Sequence, residues 1–106
     1  GEPDIGHFFP PTDQSIKGIS SLDILKKCRA LAAEKGFAIC NIDSTLIAEA
    51  PKILPHAAQM KQNIATALGI EVGQVGIKAT TNETMGFAGR KEGMAAHAVA
   101  AIVGLV

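Results

Sequence analysis

Tryptophan and tyrosine are absent from this 106-residue chain, and aromatic residues make up only 4% of it. The 47% hydrophobic content is therefore carried by Ala, Ile, Val and Leu. Net charge is also missing: ten basic and ten acidic residues are dispersed along the sequence. That balance excludes the basic footprint of a nucleic-acid binder and the cationic patch of a membrane-surface protein. No apolar run approaches the roughly 20 residues that span a bilayer, so no membrane partner is expected. Two cysteines, Cys28 and Cys40, are too few for a disulfide framework, and both are expected to be buried thiols in a reducing compartment. Repeats and low-complexity tracts are lacking too.

What is present suffices for one domain, residues 1–106, near the lower size limit for an independent core. So much small aliphatic surface in so short a chain suggests burial against copies of itself.

Residues 1–18 carry Gly, Pro, Asp and Thr without a period and read as ordered loop with a short turn. Ser20 or Ser21 then caps a helix, with Asp23 in its first turn. Ile24, Leu25, Cys28, Leu31 and Ala32 form its buried stripe, Lys26, Lys27, Glu34 and Lys35 face water, and Gly36 ends it. Residues 37–47 read as a strand with Ala38, Cys40, Ile42, Ser44 and Leu46 on the core face and Ile39, Asn41, Asp43 and Thr45 opposite. Pro51 and Pro55 interrupt any helix between them, and Pro55 suits the first turn of a second helix. Met60, Ile64 and Leu68 give that helix its stripe, and Gly69 stops it. Val75 to Thr80 is a second strand. From Met94 to Val103 the alanines favour helix on propensity alone.

Chemistry concentrates in one aperiodic stretch, Lys78-Ala-Thr-Thr-Asn-Glu-Thr-Met-Gly-Phe-Ala-Gly-Arg-Lys-Glu-Gly93. Hydroxyls and backbone amides hold phosphate oxygens, a carboxylate holds a hard cation beside them, and Arg90 can fork onto a diphosphate. The order of residues is more specific than a Gly-rich loop. It resembles the motif of the 2-C-methyl-D-erythritol 2,4-cyclodiphosphate synthase family. Asp4-Ile-Gly6 with Phe9-Pro-Pro-Thr-Asp13 is similar to a second element of that family, and Ala48-Glu-Ala-Pro-Lys-Ile-Leu-Pro-His56 is similar to its nucleotide loop. The three occur in the family's order, and the resemblance runs from about Asp4 to about Val103.

The resemblance implies an α+β fold: a small sheet with helices on one face, four-stranded in the family and trimer-forming, so that Met94 to Val103 becomes a strand. It also implies a lyase of non-mevalonate isoprenoid biosynthesis that cyclises a cytidylyl diphosphate and releases CMP. The cofactors would be Zn²⁺ and Mg²⁺ (or Mn²⁺), and the partners two further copies in a homotrimer. A bacterial cytoplasm would be its setting in preference to a plastid.

By the same resemblance Glu83 ligates Mg²⁺ and Thr81 acts on the transferring phosphate, with Thr80 and Asn82 on the same wall. Ala48, Glu49, Ala50, Pro51, Lys52, Ile53 and Leu54 wrap the cytidine diphosphate, with Lys52 as the point charge on the α-phosphate. Asp4, Ile5 and Gly6 contact the methylerythritol part, and Phe9, Pro10, Pro11, Thr12 and Asp13 close over that end. Pro11 stands where the family usually has an aspartate, so a side-chain acceptor is lost there. Phe87 and Arg90 face the threefold axis, where Arg90 with Glu92 forms either an isoprenoid-diphosphate site or a structural ion-pair ring.

The family's zinc is held by an Asp-x-His pair and a later histidine, and this sequence contains no Asp-x-His. His7, His56 and His97 do not match those ligands and read as scaffold residues. The segment thus corresponds to the C-terminal two-thirds of a family member. A non-catalytic trimeric nucleotide- or isoprenoid-diphosphate-binding protein on the same scaffold is the alternative.

Overall fold

Ser20 opens the longest helix as its hydroxyl predicts: Oγ accepts from the Leu22 amide at 3.2 Å, satisfying one of the donors a helix start leaves free. In the computed structural model, which describes residues 1–106, this helix (α2) spans Ser21–Glu34 and ends before Gly36 at φ 80°. A short helix, α1 (Ile5–Phe8), and a 3₁₀ turn, Gln14–Ile16, precede it. The first eighteen residues are thus more regular than loop, because Asp4 and Asp13 act as caps. Asp4 accepts from the His7 amide at 3.2 Å, and Asp13 from the Ser15 amide at 2.9 Å.

Strand β1 (Phe37–Ile47) follows, then a 3₁₀ turn at Leu54–His56 with Pro55 in its first positions. The turn runs directly into helix α3 (Ala57–Leu68). Gly69 ends α3 in the left-handed region at φ 67°, where a side chain would be strained. A 3₁₀ turn at Val72–Gln74 leads into strand β2 (Val75–Thr80), helix α4 (Gly86–Gly89) and strand β3 (Ala95–Gly104).

The sheet order is β2–β1–β3, with β1 parallel to β2 and antiparallel to β3. A parallel pair needs a crossover, and α3 provides it. Helices α2 and α3 pack on each other, α2 also on β1 and α3 on β2. The fold is α+β. This chain contributes three strands where the family resemblance implied four, and the last strand forms despite its alanines because β1 supplies its hydrogen-bond partners.

The core is small. Ala65, Ala67, Leu68, Val75 and Ala88 are the buried residues, and they lie where α3 meets β2 and at α4. The expected α2 stripe is only half-buried at Ile24, Leu25, Leu31 and Ala32, and Cys28 is exposed. Cys40 is exposed as well, which corrects both thiol expectations. Its case has a local cause: the β1–β3 register steps from Ile39↔Ile102 to Asn41↔Ala101, so Cys40 is the unpaired residue of a bulge. The bulge interrupts the alternation that would have turned Cys40 toward the helices. Beyond it the expected face holds, with Ile42, Ser44 and Leu46 half-buried and Asp43 exposed.

Leu68 is 4% exposed and is the largest residue of this core. Leu68→Ala should lower the unfolding free energy by about 2–5 kcal/mol in urea denaturation. A loss below about 1 kcal/mol, close to the scale of a surface change, would show that the α3–β2 contact is not the centre of stability.

Candidate active site

The parallel pairing ends with Ile47 opposite Thr80. The Ala48 amide then donates to the Thr80 carbonyl at 3.0 Å, so the two loops that leave the sheet here begin side by side. Between them lies a cleft of about 310 Å³ lined by Ala48, Glu49, Pro51, Lys52, Ile53, Leu54, Ala79, Thr80 and Thr81. Thus the loop expected to hold a nucleotide and the threonines expected to work on its phosphates share one cavity. Of the loop residues 48–54, only Ala50 does not line it; the Ala50–Pro51 peptide is cis.

The hydroxyls of the two threonines differ. Thr80 Oγ1 donates to the Thr81 carbonyl at 3.1 Å. Thr81 Oγ1 accepts from the Glu83 amide at 3.4 Å, and no acceptor within the chain takes its proton. Thr81 is therefore the one of the pair with an O–H left to donate into the cleft.

After Thr81 the backbone makes an unusual turn. Glu83 and Thr84 both adopt positive φ, 50° and 64°, which costs non-glycine residues on the order of 1–3 kcal/mol each. Four hydrogen bonds hold the turn. Asn82 Nδ2 donates to the Met85 carbonyl at 2.6 Å, and the Met85 amide returns a bond to the Asn82 carbonyl at 3.0 Å. Glu49 Oε1 accepts from the amides of Asn82, at 3.1 Å, and Thr84, at 3.0 Å. Helix α4 also packs so closely behind the turn that a Cβ on Gly89 would overlap the Thr84 backbone, which leaves room for glycine alone. Ala88 beside it is 2% exposed.

The turn leaves the Glu83 side chain exposed and in no hydrogen bond or ion pair of the chain. An uncommitted carboxylate two residues past Thr81 fits Mg²⁺, which takes one or two protein carboxylates and completes its shell with phosphate and water. Zinc does not fit the residues present: no three His, Cys, Asp or Glu side chains gather to hold a metal.

The other expected site residues lie elsewhere. None of residues 4–13 lines the cleft. Ile5 and Phe9 line an apolar hollow against α2, and Pro11 and Asp13 a shallow one with Gln14, Ile16 and Lys17. Asp13 is held below the ordinary carboxylate range, first by the Ser15 hydroxyl at 2.7 Å and then by the Ser15 amide. Gly6, Pro10 and Thr12 line neither hollow. Phe87 is 51% exposed, and Arg90 is forked onto Glu92, Nε to Oε1 at 2.8 Å and an η nitrogen to Oε2 at 3.2 Å. The expected Arg90–Glu92 pair thus forms within one chain.

Sequence reasoning did not foresee two features. One is the side chain of Glu49, which turns away from the nucleotide loop onto the Thr81–Met85 turn. The other is a polar row across the sheet face opposite the helices, where register places Lys78, Thr45 and His97 in line and Lys78 pairs with Asp43.

The model of the YgbB family matches residues 1–103. A 2-C-methyl-D-erythritol 2,4-cyclodiphosphate synthase from Dehalococcoides mccartyi is 56% identical over 99 residues, which cover 93% of this chain and 63% of that protein. Another of that name from Akkermansia muciniphila is 57% identical over 103 residues, covering 97% of this chain and 61% of its own length. The chain therefore spans somewhat over three-fifths of these curated relatives. Among solved structures, the CDP complex of IspF from Plasmodium falciparum superposes with a TM-score of 0.86 at 30% identity, covering all of this chain and 63% of that one. Motif order, the shared cleft and a match running over nearly every residue agree, and the chain belongs to the YgbB family.

Proposed function

We propose that this chain is the nucleotide- and phosphate-handling part of a 2-C-methyl-D-erythritol 2,4-cyclodiphosphate synthase. The reading is that of a lyase of the non-mevalonate isoprenoid route, working in a bacterial cytoplasm. The observation that carries it is the cleft that the loop of residues 48–54, Ala50 apart, shares with Thr80 and Thr81, with Glu83 free at the next turn.

In this reading the substrate's 2-phosphate attacks the β-phosphorus of its own cytidylyl diphosphate and CMP leaves. Such a transfer asks the protein mainly to align two phosphates and to balance their charge. The backbone of residues 48–54 reads the cytosine edge, which suits a loop of small and aliphatic side chains. Lys52 sets a point charge near the α-phosphate. Thr81 donates its free O–H to a phosphate oxygen as charge redistributes. Glu83 would hold Mg²⁺ against the diphosphate, where the ion neutralises its charge. Asp4, Gly6 and residues 9–13 are assigned to the methylerythritol end. Since they do not reach this cleft within one chain, they would serve a cleft on a neighbouring copy.

A homotrimer is the assembly this reading requires, and the surface supports it. The chain exposes 7416 Å², against about 5,600 Å² for a compact protein of its size. Its radius of gyration is 15.5 Å, where about 13 Å is usual. Strand β3 presents apolar residues on that surface, with Val99 73%, Ile102 52% and Val103 50% exposed. On that axis Phe87 and the Arg90–Glu92 pair would meet their symmetry mates. An isoprenoid diphosphate there would have to share Arg90 with Glu92.

Light scattering at micromolar concentration should give three times the mass of one chain, and a monodisperse monomer would contradict the assembly. Calorimetry should show CDP preferred over UDP by roughly 1–3 kcal/mol, because a site built around the cytosine amino group leaves buried groups unpaired with uracil. Equal affinities would remove the assignment of residues 48–54. In turnover assays of the full-length protein, Thr81→Ala should lower kcat roughly 100-fold with CDP affinity nearly unchanged. Glu83→Gln should raise the Mg²⁺ concentration needed for half-maximal rate, and Arg90→Ala should leave kcat within a few-fold. Loss of turnover in Arg90→Ala with a fully active Thr81→Ala would reverse the proposed division between the two places.

A further inference from the structure

The carboxylate of Glu49 belongs by sequence to the nucleotide loop and by contact to the turn that presents Glu83. Both of its hydrogen bonds come through one oxygen, Oε1, from the amides of Asn82 and Thr84, 33 and 35 residues away. Those amides bracket Glu83, and Thr84 is itself one of the two residues held at positive φ. A turn with two left-handed non-glycine residues does not persist on local preference alone. The bonds to a charged acceptor are the kind that holds such a backbone. The hold does not come from the sheet, whose last link to this loop is the Ala48 amide on the Thr80 carbonyl.

We infer that Glu49 is a positioning residue: its carboxylate locks the Asn82–Thr84 turn so that Glu83 stands ready beside the cleft, and it couples the order of that turn to occupancy of the nucleotide loop. A base seated on residues 48–54 fixes the backbone from which Glu49 reaches out. That in turn tightens the two amides without any contact between the base and the turn. The inference rests on the nucleotide reading above for the coupling, but not for the lock, which is present in the free chain.

The test uses amide hydrogen exchange on the full-length protein, free and with saturating cytidine, a probe that has no phosphate to touch Thr81 directly. Two variants separate charge from acceptor: Glu49→Ala removes both oxygens without adding bulk, and Glu49→Gln keeps one oxygen acceptor. In the free protein, Glu49→Ala should speed exchange at Asn82 and Thr84 by roughly tenfold while the β2 amides stay as protected as before. Glu49→Gln should restore most of that protection. Cytidine should slow the same two amides further in the unmodified protein and not in Glu49→Ala. The Mg²⁺ concentration for half-maximal turnover should rise in Glu49→Ala and return toward normal in Glu49→Gln, a change that mere loss of stability would not produce. Unchanged exchange at both amides in Glu49→Ala would overturn the lock. Equal cytidine protection in Glu49→Ala and the unmodified protein would overturn the coupling. If calorimetry found no cytidine binding to the unmodified protein, the nucleotide reading and the coupling would both fall, whereas a lock seen in the free protein would stand.

Discussion

The site depends on the parallel pairing of β1 with β2. Because the two strands run the same way and end together at Ile47 and Thr80, the loops that follow them leave the sheet on one side. Crevices beyond the carboxyl ends of parallel strands are where α/β architectures commonly place ligands, and the physical reason is visible here. One loop offers backbone and a lysine, the other hydroxyls and a carboxylate, and neither alone encloses a cavity. The strand pair in turn needs α3 as its crossover, and the packing of α3 on β2 supplies Ala65, Ala67, Leu68 and Val75, most of the buried residues.

Next to that frame the chain accepts local strain. Two left-handed residues after Thr81 turn Glu83 outward, and Gly89 allows α4 to press against the turn from behind. Glu49 holds it from the front. A carboxylate freed from any ion pair is thereby displayed beside the cleft, where a hard cation and phosphates can reach it. The same geometry leaves Thr81 with a hydroxyl proton to give while Thr80 spends its own on the backbone.

The opposite face of the sheet has a different character. Asp43 and Lys78 pair there, with Thr45 and His97 completing a row across three strands, and β3 presents Val99 to solvent. The chain buries only five residues and leaves this strand surface open. The composition, poor in rings and rich in alanine and isoleucine, leaves few large side chains to close this surface within one chain.

The sequence by itself determined the local elements and the chemical cast. Ser20, Gly36 and Gly69 mark helix ends through their own hydroxyl or missing Cβ. The Val75–Thr80 run is a strand from its β-branched pattern, and the order of residues from Thr80 to Arg90 carries the family resemblance. Wherever a residue's state depends on a partner far along the chain, the sequence could not decide it. Cys40 is exposed because a bulge against β3 breaks the alternation, and Cys28 because residues 2–9 leave an open hollow over that side of α2. Ala95 onward is strand because β1 offers it hydrogen bonds, against its alanine content. Glu49 turned from a loop residue into a clamp because pairing in three dimensions brought Asn82 and Thr84 within reach of its carboxylate. Periodicity and capping act over a few residues, and these outcomes were set by tertiary contacts across some thirty to sixty, which only the folded sheet brings together.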